Sequence, residues 1–333
     1  MRKIKIAQIG VNTNSHSNEI FGSLNKQSDI FEIVGYVLPE NERQRLSQKV
    51  KELEEYKELT LEEILSNPEI EAVAIETDEI YLTKYALMSA KAGKHIHMEK
   101  PGGLSLADFE KLVSVMEKAG KVFHIGYMYR YNPYVKELLT KIANGELGEI
   151  ISVEAQMNCF HSSEVRRWLQ NFPGGMMFFL GCHLVDLVLQ IQGMPERIIP
   201  LNKSTGIDDV KAKDYGMAIF EYKNGVSFVK TNAYEFGGFL RRQLVVTGTK
   251  GTVELKPLEV CIDGVQYTDK TECYDSDWHK PRDTTSSELH NRYDNMMSSF
   301  AAMVRGEKQN PYTLDYELQL YRTVLEACGE NVK

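Results

Sequence analysis

Five short apolar runs, parted by helix-like stretches, occupy the first third of the chain and restrict the folds open to it. They are Ile4–Ile9 (IKIAQI), Phe31–Leu38 (FEIVGYVL), Glu71–Thr77 (EAVAIET), Lys94–Glu99 (KHIHME) and Lys121–Gly126 (KVFHIG). Shortness and enrichment in β-branched residues mark them as strands. The intervening segments carry helix signals. Thr60–Glu63 (TLEE) reads as a capping box, and Gly93 closes a helix before the fourth strand. A further helix runs from a capping Ser105 to Gly120, with Leu106, Phe109, Leu112, Val113 and Met116 along one face. Strand–helix alternation of this kind predicts an α/β domain, a doubly wound parallel sheet with right-handed crossovers, over residues 1–125.

Residues 126–333 change character and predict an α+β domain. Asn132–Pro133 reads as an N-cap followed by proline at the first helical position, with the helix reaching about Asn144. A strand (GEIISVEAQMN) follows, then Gly174–Gly175 and an apolar helix over Met176–Gln192. Hairpin turns are expected at Asn224–Gly225 and Asp263–Gly264, which predicts a largely antiparallel open sheet. Helices over Ser287–Arg305 and Leu314–Gly329 complete the reading.

Composition narrows the partners. Charged residues are 26% of the chain and hydrophobic ones 42%, the proportions of a globular protein. Lys plus Arg number 39 against 47 Asp plus Glu, a formal net charge of −8. Such a surface repels phosphate backbones and anionic lipid, so neither nucleic acid nor membrane is expected as a partner. The five scattered cysteines form no C-x-x-C pair and read as free thiols of a cytoplasmic protein. No ligand cluster with metal-binding spacing stands out, and no metal is expected.

Three segments carry chemistry beyond folding. Glu99-Lys100-Pro101 falls at the carboxyl end of the fourth strand, where open parallel sheets bind ligands. A lysine there is a flexible donor whose pKa falls on burial, which suits it to proton transfer. Ile125–Pro133 (IGYMYRYNP) brings Tyr127, Tyr129, Arg130 and Tyr131 to the domain junction, and an extended course would put the three tyrosines on one side. The helix after the glycine pair carries Phe179, His183 and Asp186 at spacings of four and three, hence on one face.

The turn after the first strand departs from the G-x-G-x-x-G of dinucleotide sites. Gly10 is kept, but Asn12 and Ser15 stand where the other glycines would be. Asparagine tolerates positive φ better than other non-glycine residues, so Asn12 is expected to preserve the turn. Asn14 and Ser15 are expected to cap the helix that follows, leaving N–H groups for a pyrophosphate.

The order of this turn, EKP, GYMYRYNP, GG…GCHLVD and VVTGTKGTVEL resembles the Gfo/Idh/MocA family of oxidoreductases over essentially the whole chain. The resemblance implies a Rossmann domain followed by a substrate-binding and oligomerisation domain, forming a homodimer or homotetramer. It implies hydride transfer between NAD or NADP and a sugar, polyol or related hydroxy compound. Lys100 matches the lysine that contacts the reacting hydroxyl, and His183 matches the acid/base histidine. Tyr129, Arg130, Trp168 and Asp186 are candidate substrate contacts. Gly10, Asn12, Asn14, Ser15, Thr77, Glu99, Lys100 and Pro101 are candidate cofactor contacts. Relatives that eliminate glycosides through transient oxidation, and a non-catalytic sugar- or nucleotide-sensing relative, define the alternatives.

The departures from the family pattern are specific. The acidic residue that ends the second strand and grips the ribose is Leu38, a loss of about 1.5–3 kcal/mol, or roughly ten- to hundredfold in affinity. The T-P-x-x-x-H after the third strand reads Thr77-Asp78-Glu79-Ile80-Tyr81-Leu82. The aspartate four residues before the histidine is Phe179, which cannot polarise an imidazole. Arg43 and Arg45 read as a solvated helix face and leave NAD against NADP open.

Overall fold

The structure, a computed structural model, describes residues 2–277 and 279–332. Packing divides the chain into two units: Met1–Met128 with Tyr293–Tyr321, and Tyr129–Arg292 with Arg322–Lys333.

The first unit is built on strands β1 (Ile4–Ile9), β2 (Phe31–Val37), β3 (Ala72–Ile75), β4 (His95–Met98) and β5 (Phe123–Ile125). They form one parallel sheet in the order β2-β1-β3-β4-β5. All four side chains of β3 are buried, as expected of a strand covered on both faces. The chain leaves β1 towards β2 on one side and returns to β3 on the other. The carboxyl ends of β1 and β3 therefore flank the topological switch point, where such sheets bind ligands. The capping box at Thr60 forms, with Glu63 N donating to Thr60 Oγ1 and Thr60 N donating to Glu63 Oε2. Ser105 caps the helix Leu106–Ala119, which ends on a left-handed Gly120.

The segment Tyr293–Tyr321 packs with this first unit, which differs from a division at residue 125 that leaves everything afterwards to the second. Specific contacts explain it. Asp294 accepts hydrogen bonds from Ser23 Oγ (2.8 Å) and Lys26 Nζ (2.5 Å). Phe300 stacks on His124 with centroids 5.4 Å apart, and Tyr321 lies 4.4 Å from Phe109. The helix expected from Ser287 begins only at Asp294. Ahead of it, Ser287 N donates to Thr268 O, and His290 and Gln266 exchange backbone hydrogen bonds, so this stretch serves strand-like pairing instead.

The second unit carries β6 (Ile150–Asn158), β7 (Arg197–Pro200), β8 (Tyr215–Tyr222), β9 (Gly225–Asn232), β10 (Gln243–Gly248), β11 (Thr252–Leu255), β12 (Val260–Ile262), β13 (Val265–Tyr267), β14 (Asp269–Cys273) and β15 (Thr284–Ser286). Eight of them form a sheet in the order β15-β14-β11-β10-β6-β9-β8-β7, antiparallel except for β6 against β9. β12 and β13 form a separate hairpin whose turn is the expected Asp263–Gly264, both at positive φ. The β8–β9 hairpin turns one residue earlier than expected, at Lys223–Asn224. Gly225 already pairs with Tyr222, where a Cβ would stand 1.9 Å from the Ile151 carbonyl oxygen.

Gly174–Gly175 is required twice over. Both residues have positive φ (64° and 57°), and a Cβ on Gly175 would lie 2.2 Å from the Lys213 carbonyl oxygen. Gly175→Ala is therefore expected to destabilise the fold by about 2–4 kcal/mol, read as a lower urea midpoint at unchanged slope. Beyond the pair, the expected single helix is divided into a π-helical turn, Met177–Gly181, and the α-helix Cys182–Gln192.

Candidate active site

In the first unit the switch point gathers a glycine, three backbone amides and several carboxylates. Gly10 follows β1 with φ 86°, and a Cβ there would lie 2.4 Å from Thr77 Cγ2, so glycine is obligatory. Positive φ in the turn belongs to Gly10 and not to Asn12, whose conformation is ordinary. The next three amides are all engaged by side chains. Val11 N donates to Glu42 Oε2 (3.1 Å), Asn12 N to Ser17 Oγ (3.3 Å) and Thr13 N to Asp78 Oδ1 (2.7 Å). The Thr13 hydroxyl donates to the same Asp78 oxygen at 2.7 Å.

Neither Asn14 nor Ser15 caps the helix Ser17–Lys26. His16 holds the cap position with no side-chain cap bond. The physical reason is competition, since Ser15 Oγ donates to Glu79 Oε1 at 2.6 Å. Leu38 packs against the apolar cluster of Val11, Phe21, Tyr36, Val50 and Leu53, so the ribose carboxylate has been replaced by core. Arg45 is no mere solvated residue. Its Nη2 donates to Asp78 Oδ2 at 2.9 Å. Sequence spacing could not show this contact, because Arg45 and Asp78 are brought together only by the crossover between β2 and β3.

Burial sets the ionisation here. It pushes the Glu42 carboxyl up to about 8; the Val11 amide opposes the shift and Asp78 adds to it. Glu79 and Glu76, buried in the same region, are also raised. The sign for Glu42 follows directly. Its folded pKa lies above the ordinary 4.5, so stability is fully present below 4.5 and declines as pH rises towards 8. Glu42→Gln is expected to raise the melting temperature at pH 8 by about 3–6 °C, with no gain at pH 4.5.

At the end of β4, Glu99 and Lys100 are buried side by side, Nζ 3.4 Å from Oε1. Burial raises the Glu99 carboxyl to about 7, against the pull of the Lys100 ammonium. The Lys100–Pro101 bond is cis. The following loop is fixed by Thr83 Oγ1 donating to Gly102 O (2.7 Å) and Tyr321 OH donating to Gly103 O (2.9 Å).

In the second unit, His183 is buried on the helix Cys182–Gln192 and meets Tyr129 edge to face, centroids 5.5 Å apart at 83°. The Tyr129 hydroxyl donates to Glu259 Oε1 at 2.6 Å. Glu259 in turn accepts from Arg242 and from Arg292 Nη2 (2.6 Å). Burial works against its charge, yet Arg292 and Arg242 outweigh it and hold the carboxyl at about 2. No motif in the sequence singled out Glu259; only long-range pairing reveals it.

Arg130 and Asp186 form a buried bidentate pair, Nε to Oδ2 3.0 Å and Nη2 to Oδ1 2.8 Å, with Gln190 Nε2 also donating to Oδ2. Met128–Tyr131 is a 3-10 turn, so the extended alternation expected of Tyr127, Tyr129 and Tyr131 does not occur. Trp168 ends a short helix and packs edge-on against Phe172 (4.7 Å) and Phe179 (5.0 Å). Phe179 thus completes an aromatic cluster where the resemblance expected a carboxylate.

The turn carries a donor set of the kind that suits an anion. The Thr13 amide and hydroxyl and Arg45 all point to one place, which Asp78 holds. Asn12 Nδ2 is buried in the same turn with no acceptor.

Comparison with known proteins agrees with this reading of the scaffold. Residues 4–127 match the model of the oxidoreductase family with an NAD-binding Rossmann fold, and residues 135–254 match the Gfo/Idh/MocA C-terminal domain. The chain is 27% identical over 252 residues to trans-1,2-dihydrobenzene-1,2-diol dehydrogenase of Bos taurus, covering 68% of this chain and 72% of that one. It is 25% identical over 164 residues to scyllo-inositol 2-dehydrogenase (NADP(+)) of Bacillus subtilis, covering 49% of this chain but only 46% of that one. In fold it is similar to the aldose-aldose oxidoreductase of Caulobacter crescentus, with a TM-score of 0.79, 18% identity and full coverage of both chains. No helix among the described residues is long and apolar enough to cross a membrane. Both halves of the chain therefore assign it to the Gfo/Idh/MocA family, oxidoreductases that use NAD or NADP on an NAD-binding Rossmann fold.

Proposed function

We propose that this enzyme interconverts a secondary alcohol and a ketone on a sugar or polyol, with Lys100 and His183 acting on the reacting oxygen. The observation that carries the reading is the buried Lys100 ammonium at the carboxyl end of β4, beside the Glu99 carboxyl. An ammonium in that setting stabilises an alkoxide as it forms. The nicotinamide, when bound, supplies the hydride acceptor or donor. His183 takes the hydroxyl proton on oxidation and returns it on reduction. Tyr129, fixed by Glu259, keeps the imidazole in one orientation in place of the family's carboxylate.

Arg130 and Asp186 satisfy each other and act as positioning residues. Trp168 offers an aromatic wall to the substrate. Gly10, Asn12, Asn14, Ser15, Thr77, Glu99 and Pro101 line the cofactor's path. The relatives named for a cyclic diol and for an inositol direct the substrate search towards ring polyols. A homodimer or homotetramer belongs to the same reading, and light scattering reports it. Titration with NADH and NADPH, followed by nicotinamide fluorescence, tests the proposal. Saturable binding of either is expected, and silence with both at millimolar concentration contradicts it.

A further inference from the structure

We propose that Asp78 is an internal stand-in for the cofactor's pyrophosphate: its carboxylate sits in the phosphate cradle and must leave before a dinucleotide binds. This inference rests on the reading that the chain binds NAD or NADP, and it names the residue that regulates how tightly.

The geometry around Asp78 is that of a bound oxyanion. Oδ1 accepts from both the amide and the hydroxyl of Thr13, each at 2.7 Å, and Oδ2 accepts from Arg45 Nη2 at 2.9 Å. Three donors of different origin thus converge on one carboxylate: a turn amide, a side-chain hydroxyl and a guanidinium. This is the set that phosphate oxygens take in a nucleotide turn. A second, independent observation lies in the same turn. Asn12 Nδ2 is fully buried in the same turn and has no acceptor, while its Oδ1 accepts from Lys49 Nζ at 3.4 Å. A pyrophosphate, with more oxygens than a carboxylate, satisfies that amide as well. Lys49 Nζ also donates to Ser15 O at 3.0 Å, which places a second cation beside the turn.

Charge dictates the consequence. A phosphate and the Asp78 carboxylate cannot share the cradle, because two anions a few ångströms apart repel strongly where water is scarce. Binding therefore exchanges one anion for another, with Arg45 released from Asp78 to the phosphate. Much of the affinity that the donor set can supply is spent on displacing the resident carboxylate.

The test compares dissociation constants for NADH and NADPH, by fluorescence and by calorimetry, in wild type, Asp78→Ala, Asp78→Asn and Asp78→Ala/Arg45→Ala. The expected order is Asp78→Ala tightest, at least tenfold tighter than wild type. Asp78→Asn falls between, and the double variant gives back most of the gain. Melting curves without cofactor accompany the titration, and both single variants are expected to melt lower than wild type, since the turn loses its internal anion. If wild type binds but Asp78→Ala binds equally or more weakly, Asp78 is only a structural anchor and this inference fails while the functional reading stands. If no folded variant binds either dinucleotide, both fall together.

Discussion

Substituting alanine for His183 is expected to lower turnover by about 10³-fold while leaving the dissociation constant for reduced nicotinamide cofactor within twofold of wild type. A general acid–base group contributes roughly 10²–10⁴ in rate, and removing the imidazole leaves only water to carry the proton. The loss should fall on kcat and kcat/KM alike, because the proton moves only as the carbonyl forms. Lys100→Ala is expected to act at the same step, by a similar factor. The two should not multiply in the double variant, since groups acting as one unit are not additive. The measurement is steady-state kinetics with the best polyol found, beside a cofactor titration of each variant. Loss of activity accompanied by loss of cofactor affinity would instead make His183 a structural residue.

Glu259→Ala should be the most damaging change to the second unit, with a stability cost of about 3–5 kcal/mol. Three partners converge on this buried carboxylate: Arg242, Arg292 and Tyr129. Removing it takes away the carboxylate that both guanidinium groups share and the acceptor of the Tyr129 hydroxyl. Chemical denaturation measures the cost. A functional effect should accompany it, because Tyr129 packs against His183. Tyr129→Phe separates the two roles. It keeps the ring against the imidazole, so kcat should hold within a few-fold while stability drops by about 1–2 kcal/mol. A Glu259→Ala protein as stable as wild type would show that the arginines find other partners.

Periodicity and punctuation carried most of the fold. The strand runs of the first unit, the Thr60 capping box and the Asn132–Pro133 helix start are local signals, set by residues adjacent in the chain, and each forms where the spacing places it. What escaped were features created by distant partners. The π-turn at Met177–Gly181 has no periodic signature; it packs against β8 and β9, strands far along the chain. The helix expected from Ser287 starts late because its first residues serve strand-like pairing. In the candidate site, Lys100 and His183 stood out through motif and order, whereas Glu259, Arg242 and Arg292 did not, since nothing local distinguishes them from surface charges. Asn12 shows the opposite error. Its propensity for positive φ was real but unused, because Gly10 alone makes the turn and the amides find side-chain acceptors.

The most direct test of the central claim is a substrate screen with matched variants. Wild type, Lys100→Ala and His183→Ala are each loaded with NAD or NADP and offered a panel of inositols, cyclic diols and aldoses, and the appearance of reduced nicotinamide is followed. The account predicts reduction by wild type with at least one ring polyol, and near silence from both variants despite bound cofactor. Wild type silent across the panel with cofactor bound, or Lys100→Ala matching it on a substrate it turns over, would contradict the account.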